Sequence, residues 1–161
     1  MTKYKPEDVK QAREYFASQG FPEKRMPIAG RDISFFVMNP EINPGLKNFA
    51  FVCDGNLKDG YALGVSSEVP EQFQPFWALH EFVEYLELGR ETPGRCKKAL
   101  DEELKVIPAE FKPAYIPMRA GFFKDLVEYC KNNNYSPSDI KEFEASRDIL
   151  NTLETDYRKT N

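Results

Sequence analysis

The hydrophobic pattern changes period along the chain. Residues 6–18 open with Pro6, Glu7 and Asp8, a favourable helix start, and Val9, Ala12, Tyr15 and Phe16 then recur at helical spacing before Gly20. Three short runs of strand character follow, at 33–38, 48–53 and 60–65, each closed by turn residues: Asn39-Pro40, Asp54-Gly55 and Ser66-Ser67. Their short, turn-rich connections predict a small three-stranded antiparallel meander.

After Pro70 the spacing becomes helical. Residues 71–88 read as a strongly apolar helix stopped by Gly89, and 92–107 as a second helix that begins at Thr92-Pro93 and ends before Pro108. A third is expected from about Met118 to Asn132. A fourth is expected from Ser136 to about Tyr157, with Ile140, Phe143, Ile149, Leu150 and Leu153 as its apolar stripe. No repeat, low-complexity run or long linker divides residues 1–161. The expected architecture is one α+β domain, a meander followed by a bundle of helices.

Composition narrows the function classes. The chain has 161 residues, 41% hydrophobic and 14% aromatic, which is enough for a core. The net charge is −4 with no basic run, so no nucleic-acid footprint is expected. No stretch has the length of a membrane span, and the N-terminus lacks an apolar signal region, so no membrane association is expected. Cys53, Cys96 and Cys130 are odd in number and widely spaced, which fits a reducing, cytoplasmic setting better than a disulfide framework. A peptide or protein partner is compatible with this composition.

The chemistry concentrates on the expected helix 71–88, which carries His80, the only histidine, together with Glu81, Glu84 and Glu87. Ionised groups on a buried helix cost several kcal/mol unless paired, hydrogen-bonded or bound to a metal. Helical spacing groups His80, Glu84 and Glu87 on one flank, and an imidazole and a carboxylate at i and i+4 can reach one cation. Glu81 points further round. On the next helix Glu103 falls among the inward residues Cys96, Ala99, Leu100 and Ile107, so an antiparallel pairing can bring it opposite His80 and Glu84.

Strands, then a helix bearing His80-Glu81-x-x-Glu84, then a second helix with Glu103 twenty-three residues on: this order resembles the zincin metallopeptidases, closest to their glutamate-ligand branch. The resemblance covers roughly residues 33–107 and rests on a short HExxE motif. It implies His80 as first metal ligand, Glu81 as the general base that activates a water, Glu84 in the place of the family's second histidine, and Glu103 as the glutamate ligand. It also implies that the strand 61–65 lines an extended substrate. The departure is Glu84, which makes the set His, Glu, Glu. That set is more anionic than the family's and suits Mn²⁺ or Fe²⁺ as well as Zn²⁺. A metal-dependent hydrolase, either an active peptidase or a degenerate one, is the resulting expectation.

The alternative is a non-catalytic scaffold or interaction domain in which the same acids are closed by cations. Arg119, at the start of an otherwise apolar helix, is the cation best placed to pair with Glu84, Glu87 or Glu103. Tyr115 and Arg119 can instead steady an oxyanion in a hydrolytic site. Cys96 shares the Glu103 face two turns earlier. It carries no flanking nucleophile signature and reads as core packing.

Overall fold

The computed structural model describes residues 9–56 and 60–160. In chain order its elements are α1 (Val9–Ser18), β1 (Glu23–Ile28), β2 (Arg31–Met38), β3 (Ala50–Asn56), β4 (Gly60–Ser66), α2 (Gln74–Glu81), α3 (Arg95–Val106), α4 (Lys112–Asn132) and α5 (Pro137–Thr160). A π-helical segment, Phe82–Leu88, continues directly from α2. Residues 6–8 of the expected first helix lie outside the described residues.

The class is α+β, as expected, but the sheet is not a three-stranded antiparallel meander. It has four strands in the order β1-β2-β4-β3, with β2 and β4 parallel and the other two pairs antiparallel. Two physical reasons account for the difference. The expected meander assumes that consecutive strands are neighbours, yet the link from Met38 to Ala50 is long enough to carry β3 past the width of one strand. β4 then fills the gap beside β2. The additional strand, β1, reads EKRMPI and has no apolar run, and Pro27 confines it to an edge position. Its hairpin to β2 turns at Ala29 and Gly30, both at positive φ (50° and 78°), the two-residue geometry that matches strand twist.

Packing follows from the register. Phe36 and Phe51 both pair with Gly64 and so share one sheet face. Phe16 of α1 stacks on both rings, at 5.2 and 5.4 Å between centroids, and α1 therefore covers that face. Tyr61, three residues before Gly64, projects from the opposite face, where its ring meets Phe82 edge-on at 5.5 Å. The α2–π segment is thus laid against the sheet on one side and against the remaining helices on the other. Trp77 packs on Phe122 of α4 at 4.4 Å, and Phe73 packs on Tyr115 at 5.0 Å.

Helix α4 begins at Lys112, a turn and a half before the expected Met118, and carries Pro117 inside it. Pro117 removes one backbone hydrogen bond near the helix start. Burial of Tyr115, against Phe76 of α2 and Glu103 of α3, and of Ile116 draws this turn into the helix nonetheless. Among the described residues no helix is long and apolar enough to cross a membrane.

The parallel β2–β4 pairing is directly testable. A Cβ added at Gly64 would lie 2.0 Å from Met38 Sδ on β2, and Met38 is fully buried. Gly64→Ala is expected to destabilise the fold by about 1–3 kcal/mol in urea denaturation. Adding Met38→Ala relieves that clash, so the double variant loses less than the sum of the two single losses. Strict additivity would contradict the close approach of β2 and β4.

Candidate metal centre

Four helical segments place the site. His80 comes from the last turn of α2, Glu84 from the π segment, Cys96 and Glu103 from α3, and Tyr115 and Arg119 from α4. The π segment is closed by a bond from the Gly89 N–H to the Glu84 carbonyl at 3.0 Å, five residues back, and Gly89 takes the φ of 90° that this ending requires. This widened turn shifts the helical phase. Glu84 stays beside His80, whereas Glu87, expected on the same flank, turns to the surface and pairs with Arg31 at 2.7 and 2.9 Å.

His80 is gripped at both ring nitrogens. Nδ1 lies 2.8 Å from Glu103 Oε1, and Nε2 lies 3.1 Å from Glu84 Oε1 and 3.6 Å from Cys96 Sγ. Glu103 is itself anchored: Arg119 donates from Nε at 2.8 Å and from Nη2 at 3.0 Å, and the Tyr115 hydroxyl donates to Oε2. All six side chains are essentially inaccessible.

The electrostatics follow from this grip. Burial alone would raise the Glu103 pKa, but Arg119 and His80 overcome it and hold the carboxyl at about 2. Burial opposes a charged His80, yet hydrogen bonds to Cys96, Glu103 and Glu84 raise it well above the usual imidazole range. Burial first, and Glu84 next, push Cys96 up to about 11. Cys96 is therefore a neutral thiol near neutral pH, and the two carboxylates are what retain the second proton on His80.

Helix α5 supports the cysteine in two ways. The Ser146 hydroxyl donates to Cys96 Sγ at 3.1 Å. The Glu142 carboxylate accepts the Gly94 and Cys96 N–H groups at 2.9 and 3.1 Å, capping the start of α3 from another helix. Arg95 bonds Asp139 at 2.8 Å and brings Nε within 3.2 Å of Glu84 Oε2. That contact is poorly aligned, and both atoms are buried without a hydrogen bond.

Of the expected metal set His80, Glu84 and Glu103, the structure brings all three into contact, but not around one point. Glu103 sits on the far nitrogen of the imidazole. The atoms that converge belong to His80, Glu84 and Cys96, which lie within 4.8 Å of one another. This buried group can hold a metal ion. Arg119 and Tyr115 join the site through Glu103, and Glu87 does not join it. The sequence pattern does not point to Arg95, Ser146 or Glu142. Arg95 and Glu142 carry no motif, and only their distant partners give them a role.

A cavity of about 660 Å³ opens beside the cluster, with His80, Glu81, Glu84, Cys96 and Arg119 in its wall. The strand along it is β3, the sheet edge, and not the inner strand 61–65 that was expected to line a substrate. Glu81 makes no side-chain hydrogen bond among the described residues. Desolvation, reinforced by Glu84, raises its pKa to about 7. Comparison with protein-family models, curated proteins and solved structures finds no match.

Because folding raises the Glu81 pKa from 4.5 to about 7, the folded chain holds this proton more tightly than the unfolded chain. The group therefore costs stability as pH rises through that window, and the cost stays constant above it. Glu81→Gln should leave stability nearly unchanged at about pH 5 and raise it at about pH 8, by on the order of 2 kcal/mol in urea denaturation. An equal difference at both pH values would contradict a desolvated Glu81.

Proposed function

We propose that this chain is a metal-dependent hydrolase of zincin-like design. Its ion is held by His80 Nε2, Glu84 and Cys96, and Glu81 is its general base. The observation that carries this reading is the convergence of those three ligand atoms on the wall of a cavity that also contains Glu81. A tetrahedral zinc ion separates neighbouring ligand atoms by about 3.4–3.6 Å. The 3.1 and 3.6 Å separations from His80 Nε2 are close to that spacing.

The surrounding residues suit the role. A ligating histidine ordinarily gives its other N–H to a carboxylate that fixes the ring, and Glu103, held by Arg119 and Tyr115, is that partner. An ion at Nε2 takes the place of a proton, and coordination deprotonates a thiol. The set of neutral imidazole, carboxylate and thiolate balances a divalent charge, and its sulfur favours Zn²⁺ over the Mn²⁺ or Fe²⁺ that a His, Glu, Glu set accommodates. Three protein ligands leave one position for water or substrate, the ligand count of catalytic zinc sites, where the ion acts as a Lewis acid. Glu81, on the same cavity wall, is the carboxylate suited to moving a proton there. Peptides are the favoured substrate class, because β3, an edge strand of the sheet among the described residues, runs along the cavity.

A second reading has its own support. Glu103 is closed by Arg119, and Glu84 has Arg95 at 3.2 Å, so the acids can be compensated with no ion at all. In that case the chain is a non-catalytic scaffold or interaction domain.

Elemental mass spectrometry after incubation with zinc decides between them. The hydrolase reading expects one zinc per chain, lost in His80→Ala and Cys96→Ser and kept in Glu87→Gln and Glu81→Gln. Glu81→Gln should also reduce cleavage of a fluorogenic peptide library by about 100-fold or more. Zinc absent from the parent protein, with its melting temperature indifferent to zinc and chelator, would leave the scaffold reading.

A further inference from the structure

Arg119 is 2% exposed and stacks with its guanidinium carbon 4.1 Å above the Trp77 ring, 4.9 Å from Phe123 and 5.2 Å from Phe122. Its Nε and Nη2 are committed to Glu103. The third nitrogen, Nη1, has no hydrogen-bond acceptor among the described residues, although the side chain forms part of the cavity wall. Nη1, unlike Arg95 Nε, is not sealed from solvent, so an acceptor entering the cavity can replace water on it. The geometry is rigid: the carboxylate fork on one edge and aromatic rings on the faces leave the Nη1 edge free for recognition.

Phe49, Phe122, Phe123, Leu126 and Phe143 form one apolar part of the cavity wall; tyrosines, a second cation, Arg90, and exposed Asn133, Asn134 and Ser136 line the rest. Its volume lies within the range of sites that enclose small organic ligands. The acids on the same wall are largely answered: Glu84 by His80 and Arg95, and Asp139 by Arg95.

We infer that the cavity binds a carboxylate on an apolar body, with the carboxylate on Arg119 Nη1 and the body against the phenylalanine wall. A peptide C-terminus that ends in a large apolar residue and a medium-chain fatty acid share this chemistry. The assignment rests on the cavity and Arg119. It holds whether or not His80, Glu84 and Cys96 take a metal.

Trp77 is the only tryptophan in the chain and lies directly under the guanidinium, so its emission reports on the site. The metal-free protein is titrated with decanoate, N-acetylphenylalanine and their uncharged counterparts decanamide and N-acetylphenylalaninamide, followed by Trp77 fluorescence and calorimetry. At least one carboxylate should bind at about 1 mM or tighter and exceed its amide by about tenfold or more. Decanoate alone would identify a fatty-acid site, and N-acetylphenylalanine alone a peptide-terminus site. Arg119→Lys, which keeps the charge facing Glu103, should erase the preference for carboxylate over amide. Leu126→Tyr, distant from Glu103 in the chain and placed in the apolar wall, should weaken both arms with the fold intact by circular dichroism. Equal binding of acid and amide, or no binding by either carboxylate, would overturn the proposal.

Discussion

A single buried charge organises this protein. Glu103 is fully inaccessible, and an uncompensated carboxylate in that position would cost several kcal/mol. Compensation comes from three sides: Arg119 and Tyr115 on α4, and His80 on α2. α2, α3 and α4 are thereby fixed in one mutual register, since sliding any of them by a turn would orphan the carboxylate. Aromatic packing adds apolar burial between the same helices, but it is less directional. The contacts of Trp77 with Phe122 and of Phe73 with Tyr115 hold the same helices together.

The rest of the site follows from that anchor. With Nδ1 taken by Glu103, the other nitrogen of His80 must face Glu84 and Cys96. The π segment places Glu84 there and sends Glu87 outward to Arg31. The capping of α3 by Glu142 and the Ser146 hydroxyl fix Cys96 from α5. Two carboxylates therefore face one imidazole, an arrangement that demands either a second proton or, in the proposed centre, a cation in its place. The cavity beside it provides access, and Arg119 contributes to both structures at once: one edge holds Glu103 and the other is open to a ligand.

Much of this was legible in the sequence because it depends on helical phase. The spacing of His80 and Glu84 and the inward phase of Glu103 follow from the helical repeat, and an apolar helix that opens with Arg119 needs a buried acid. What was not legible depends on elements distant in sequence. Nothing in the run 82–88 signals the π turn that separates Glu87 from the cluster. Cys96 lacks a flanking signature, and its convergence on His80 follows from how α3 seats against α2 and α5. Arg95 and Glu142 look like ordinary surface charges until α5 folds back over the start of α3. In the sheet, β1 is masked by its charges and Pro27. The β2–β4 pairing depends on a crossover that local patterns do not encode.

In the proposed centre Cys96, not Glu103, completes the metal-binding set with His80 and Glu84. Cobalt substitution tests it most directly, because thiolate ligation gives Co²⁺ an intense sulfur-to-metal charge-transfer band that nitrogen and oxygen ligands do not. The proposed centre should give that band at one cobalt per chain and lose it in Cys96→Ser. Failure to take up cobalt, or a spectrum without the thiolate band that Cys96→Ser leaves unchanged, would contradict it.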